Sequence, residues 1–138
     1  MLVTARTEYA CLAMIELALH YPDPKPIPLN LLTQKQQIPS RFLVQILLDL
    51  KTAGLVHTTR GSSGGYKLAK PPDQITLADI VNSLDRLEEP EVRTEYSSPI
   101  ARELHRIWKG LGEAYTAYLN QFHLSDLISK KDDVDYII

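Results

Sequence analysis

The run Arg60-Gly61-Ser62-Ser63-Gly64-Gly65 puts a permanent cation and two hydroxyls on a turn whose three glycines leave its backbone bare. A guanidinium donates two parallel hydrogen bonds to an anion, and a glycine turn lets the backbone come close to its target. The chemistry is anion recognition, with phosphate oxygens as the acceptors. A second set, Ser40, Arg41, Val44 and Gln45, lies at helical spacing away from the apolar stripe Leu43, Ile46, Leu47 and Leu50. Arg can pair bidentately with guanine and Gln with adenine, and Ser suits a phosphate or a base edge. Val44 accepts no hydrogen bond from cytosine but can meet a thymine methyl. Together the two sets imply a DNA duplex as the target. Arg60 would enter the minor groove or hold phosphates, Ser62 and Ser63 would donate beside it, and Lys67 would be a general phosphate neighbour.

These groups act together only if a helix and a hairpin hold them side by side. The helix is expected from about Pro39, a residue suited to a first helical position, to Ala53, with Gly54 as its left-handed cap. Gly54 to Tyr66 then reads as a strand, a turn in which Gly61, Gly64 and Gly65 take dihedrals closed to other residues, and a returning strand. A helix feeding a basic-tipped hairpin is the winged form of the helix-turn-helix. Upstream, Ala10, Ala13, Met14, Leu17, Ala18 and Tyr21 mark the buried face of a helix over Arg6 to Tyr21, capped by Thr4. Pro22, Pro24, Pro26 and Pro28 set a stiff connector. A short helix, Leu29 to Lys35, packs through Leu31 and Leu32, and Gln36 to Pro39 makes the turn. Past the hairpin, Pro71-Pro72 ends the second strand. Thr76-Leu77-Ala78-Asp79 opens another helix with a reciprocal cap, which packs through Leu77, Ile80, Val81 and Leu84.

Hydrophobic residues are 44% and charged residues 23% of the 138, which describes a globular chain. The net charge of −2 is unevenly spread. Residues 41–70 hold five basic residues and one acid, Asp49, for +4, whereas residues 86–138 carry −3. Affinity for phosphate follows the local field, so a chain acidic overall can still dock a basic hairpin on DNA. The opening Met1-Leu2-Val3-Thr4-Ala5-Arg6 lacks the layout of a signal peptide, and no apolar run approaches the ~20 residues that cross a bilayer. With a single cysteine, Cys11, a cytoplasmic chain without structural disulfides is expected. No nucleophile elbow, phosphate loop or paired-histidine metal motif supports an enzyme. His20, His57 and His123 are scattered without metal-ligand spacing.

The C-terminal third reads differently. Residues 85–97 are polar and without period, hence a loop. From Ser98-Pro99 the longest helix carries Ala101, Leu104, Trp108, Leu111, Tyr115, Tyr118 and Phe122 at alternating spacings of 3 and 4, flanked by Ile107 and Leu119. That heptad seam is a dimer interface by its pattern; the same aromatics could instead line a small-ligand pocket beside the loop. Leu124 to Ile128 reads as a short final helix. The charged tail follows, with Tyr136-Ile137-Ile138 able to dock on a neighbour.

Tyr9-Ala10, Ile38-Pro39, Gln45-Ile46-Leu47, Ala53-Gly54-Leu55-Val56, the hairpin Arg60-Gly61-Ser62-Ser63-Gly64-Gly65-Tyr66-Lys67-Leu68-Ala69 and Ile75 to Val81 resemble, in order, the Rrf-type winged helix-turn-helix regulators. The family includes bacterial regulators of iron–sulfur clusters, nitric oxide and cysteine metabolism. The resemblance implies a mainly α fold with a small β-hairpin. Residues 1–84 would be the DNA-binding domain, 85–97 a loop at the sensor position, 98–130 the dimerisation helix with the short final helix, and 131–138 a tail. It implies a homodimer on a palindromic operator, a regulator and by expectation a repressor, in iron–sulfur, redox or sulfur metabolism. The alternative is an interaction module of the same fold, regulated by a partner enzyme or a small ligand. Thr4, Arg6 and Tyr9 match family positions of backbone contact, Tyr9 fitting a core position equally. Several relatives carry an acid where Val44 stands, so operator preference should differ from theirs. Relatives that bind a cluster place three cysteines in the loop before the long helix, and residues 85–104 contain none. No cofactor is therefore expected. Glu8 and His105 stand near positions that some relatives use as ligands, but with Cys11 they are weak metal candidates, better read as exposed polar residues and a buried thiol.

Overall fold

Helix α1 (Ala5–Leu19) begins where Thr4, in extended backbone, accepts a hydrogen bond from the Thr7 amide through its side chain. This is the cap expected from the sequence. The helix stops at Leu19 rather than Tyr21: the His20 and Tyr21 amides turn back to the Leu17 and Ala18 carbonyls, both at 3.2 Å, and close its last turn. Tyr21 is accordingly exposed and leaves the buried face. The computed structural model describes residues 3–85 and 98–129, so the 85–97 loop beyond Asp85 and the tail, with Tyr136-Ile137-Ile138, lie outside the described residues.

Helices α2 (Leu29–Gln36) and α3 (Ser40–Thr52) are joined by Gln37, which takes left-handed backbone at φ 54°, then Ile38 and Pro39. Pro39 caps α3 from outside, so Ser40 is the first helical residue. At the far end Gly54, φ 79°, lets its own amide reach the Lys51 carbonyl at 3.0 Å and the Leu55 amide reach that of Leu50 at 2.9 Å. This paired closure satisfies two orphan carbonyls and turns the chain straight into the hairpin.

Strands β1 (Val56–Thr59) and β2 (Gly65–Leu68) pair antiparallel, Val56 opposite Leu68 and Thr59 opposite Gly65. The proline connector adds a bridge that the sequence does not announce. Ile27 and Tyr66 exchange both backbone hydrogen bonds, at 2.8 and 2.9 Å, and hold the base of the wing to the body. After a 3-10 turn at Pro72–Gln74, α4 (Leu77–Asp85) starts with the expected reciprocal cap. The Thr76 amide donates to Asp79 at 3.0 Å, and the Asp79 amide donates to the Thr76 hydroxyl at 3.1 Å.

One core joins these elements. Ala10, Ala13, Met14 and Leu17 of α1 meet Leu32, the stripe Leu43, Ile46, Leu47 and Leu50, the hairpin base at Val56 and Leu68, and Ile80 and Leu84 of α4. Helix α5 (Pro99–Leu119), capped by the Ser98 hydroxyl at 3.1 Å, contributes no fully buried residue. Its far end returns to the body. The Leu77 amide donates to the Phe122 carbonyl and the Leu124 amide to that of Ile75, both at 2.9 Å, and Leu124 is wholly buried at the head of a last helical stretch over 124–129.

Candidate nucleic-acid interface

Helix α3 is amphipathic in the expected sense. Its inner stripe is sealed, while Ser40, Arg41, Val44, Gln45 and Leu48 face solvent. Two further residues shape this face. The Arg41 guanidinium lies 4.8 Å from the centroid of the Phe42 ring, and that ring leans on Tyr9 of α1 at 6.2 Å between centroids. A cation over an aromatic face is attracted by the ring quadrupole, so Arg41 is stacked where a free rotor would sweep. Tyr9 thus packs against the core and also supports the Phe42 ring. Phe42 escaped the sequence reading because its position fits neither the apolar stripe nor a polar contact.

The single acid of the basic window is also engaged. Asp49 pairs through Oδ2 with Arg6 of α1, and through Oδ1 accepts a hydrogen bond from Gln45 Nε2 at 3.3 Å. Arg6 balances the one negative charge on the outer face of α3. Arg6 therefore acts here on Asp49, and Thr4 spends its hydroxyl on the α1 cap, bonding also to the Thr7 hydroxyl at 3.0 Å.

Arg60, Gly61, Ser62 and Ser63 are exposed at the wing tip. Gly61, at φ 109°, and Gly65, at φ 158°, take positive dihedrals as expected, whereas at Gly64 the requirement is space, which Gly65 shares. A Cβ on Gly64 would stand 2.1 Å from the Thr59 carbonyl oxygen, and one on Gly65 would stand 2.3 Å from that of Ile27. The glycines therefore tighten the wing against its own body. Between α3 and the wing runs a groove of about 540 Å³, lined by Val44, Leu48 and Lys51 on one wall and Thr58, Arg60 and Ser62 on the other. Two cations and no acid line it. A polyanionic strand is its chemical complement.

The long helix carries the other prominent surface. Leu104, Trp108, Leu111 and Tyr118 are exposed, as a partnerless seam would be. Ala101, Tyr115 and Phe122 are half-buried against their own chain, with Tyr118 edge-on to Phe122 at 5.1 Å. Ile100, 82% exposed, and Ile107 complete the outward stripe at 100, 104, 107, 111 and 118. The exposed apolar face therefore keeps Leu104, Trp108, Leu111 and Tyr118 of the heptad read in the sequence and widens it on one side with Ile100 and Ile107. At the end of the helix the return of the chain at Phe122 and Leu124 holds that end of the seam against the body.

Among the described residues no group of three or more His, Cys, Asp or Glu side chains converges to hold a metal ion. Glu8 is exposed on α1, and His105 is half-buried on α5. Burial, with the nearby Glu8 carboxylate adding to it, pushes the Cys11 thiol up to about 11. Among the described residues no helix is long and apolar enough to cross a membrane.

The model of the Rrf2 family, described as iron-dependent transcriptional regulators, matches residues 3–130. An HTH-type transcriptional regulator of Synechocystis sp. is 33% identical over 129 residues, 92% of this chain and 87% of the relative. The regulator IscR of Pectobacterium carotovorum is 29% identical over 138 residues, 98% of this chain and 84% of the relative. Among solved structures, T. potens IscR superimposes with a TM-score of 0.77 at 26% identity, covering 97% of this chain and 90% of its own. CymR, the global cysteine regulator of B. subtilis, gives 0.74 at 32%, covering 94% and 97%. The family description raises iron, and an iron–sulfur cluster is held by several thiolates. This chain has one cysteine, on α1, and its surroundings keep the thiol protonated. The residues present do not fit such a cluster.

Proposed function

The chain belongs to the Rrf2 family of transcriptional regulators, and on that premise we propose that it acts in the bacterial cytoplasm as a homodimeric repressor on a palindromic operator. It is a DNA-binding transcription regulator, not an enzyme. One observation carries the proposal. The same chain presents an acid-free cationic groove between α3 and the wing and, separately, an exposed apolar stripe along α5.

An apolar stripe of this kind on a helix that buries nothing fully in its own fold marks an association surface. A second copy is the natural occupant, because a twofold pairing uses one patch on both partners. The two α3 helices then address major grooves about one duplex turn (~34 Å) apart, or a multiple of it, with a wing beside each. In our reading Ser40, Arg41, Val44 and Gln45 meet base edges and phosphates. Arg60, with Ser62 and Ser63, holds the backbone or the minor groove. Neither iron–sulfur cluster nor other resident cofactor takes part.

Binding to a selected operator and to random duplex, each titrated with salt, tests the reading. A steep loss of affinity with salt together with a strong preference for the operator supports it. Equal affinity for both duplexes would reject it. Protein purified without air should show no visible absorption band; a stable band with stoichiometric iron and sulfide would reverse the cofactor assignment.

A further inference from the structure

We propose that Asp49 is a positioning residue for base readout, holding the Gln45 amide so that each half-site of the operator is read as adenine at the base pair it faces. The inference rests on the DNA-reading role of α3. A glutamine amide offers a carbonyl and two N–H bonds, one beside the carbonyl and one turned away from it. Asp49, one helical turn further along, can only accept, so its Oδ1 captures an N–H of Gln45 Nε2 at 3.3 Å. The positioning requires that this be the N–H turned away from the carbonyl, which leaves one donor next to one acceptor. Adenine offers the reciprocal pair in the major groove, N7 accepting and N6 donating.

A free carboxylate at this point of α3 would repel phosphate and undo the gain. Arg6 removes that penalty by pairing with the other oxygen, Oδ2. It comes from α1, so readout is tied to the body of the fold rather than to α3 alone. The two partners of Asp49 therefore separate two effects. The bond to Gln45 governs which base is preferred, and the pair with Arg6 governs the charge presented to the backbone.

The test is selection from a randomised duplex library by the full chain, followed by affinities for the selected duplex and its single-base variants. The wild type should enrich a recurring motif with adenine at one position in each half-site. Asp49→Ala should bind DNA at least as well overall and lose about fivefold in preference at that position alone, part of what a bidentate base contact is worth. Arg6→Ala should keep the preference and lose affinity for all duplexes alike. In a Gln45→Ala background, Asp49→Ala should change the preference no further. A wild-type selection without a recurring motif would overturn the readout role of α3 and this inference with it. A recurring motif whose adenine preference survives in Asp49→Ala would overturn the positioning role alone. Partly exposed pairs contribute little to stability, so these variants should fold; circular dichroism matching the wild type confirms it.

Discussion

Arg60 and Cys11 are the clearest cases in which one side chain decides an outcome. Arg60 is exposed at the wing tip and lines the cationic groove. Arg60→Ala should weaken binding to every duplex and reduce the slope of log affinity against log salt by about 1, leaving the oligomeric state intact. Unchanged binding at physiological salt would remove the wing from the interface. Cys11 is protected: its folded thiol titrates at about 11 against an ordinary 9.0. Because the unfolded thiol ionises first, the folded state binds more protons between those values, and its stability should fall as pH rises through that window. Cys11→Ala should remove this share of the alkaline loss in a denaturant series, and the native thiol should alkylate far more slowly at pH 8 than the unfolded one. The exposure of the candidate residues was legible from type and spacing, since Ser40, Arg41, Gln45 and Arg60 all reach the surface where expected. The Tyr9–Phe42 contact and the Arg6–Asp49 pair were not, because each joins α3 to a residue of α1 more than thirty positions away in the chain.

At the level of elements the sequence was most readable where the cause is local. The Thr4 cap, the Gly54 closure and the reciprocal cap at Thr76 each lie within a few residues of their partners. Non-local pairings were silent: the Ile27 bridge to Tyr66, and the return of residues 122–124 onto 75–77. The first explains Gly65 and gives a test. Gly65→Ala would drive a methyl into the Ile27 carbonyl, so it should cost about 1–3 kcal/mol and loosen the wing. Thermal unfolding and amide exchange at Tyr66 measure both effects. The second explains why Phe122, at the end of the heptad, is half-buried while the middle of the seam is exposed. Leu104 and Leu111 lie in that exposed middle, so Leu104→Asp or Leu111→Asp should yield monomers. A sedimentation profile still showing dimers would reject the interface.

For the whole molecule the question is how a chain of net charge −2 binds a polyanion. The structure answers by segregation. Lys51 and Arg60 flank the groove, Arg6 balances the one acid on the outer face of α3, and α5 keeps its apolar stripe exposed and apart from both. The most direct measurement is hydroxyl-radical footprinting on the selected operator, with the number of bound chains determined by sedimentation equilibrium. The account requires two chains per operator and two protected tracts on one face of the duplex, centred about one helical turn, or a multiple of it, apart. A single chain bound to one tract, or two tracts occupied independently of each other, would contradict it.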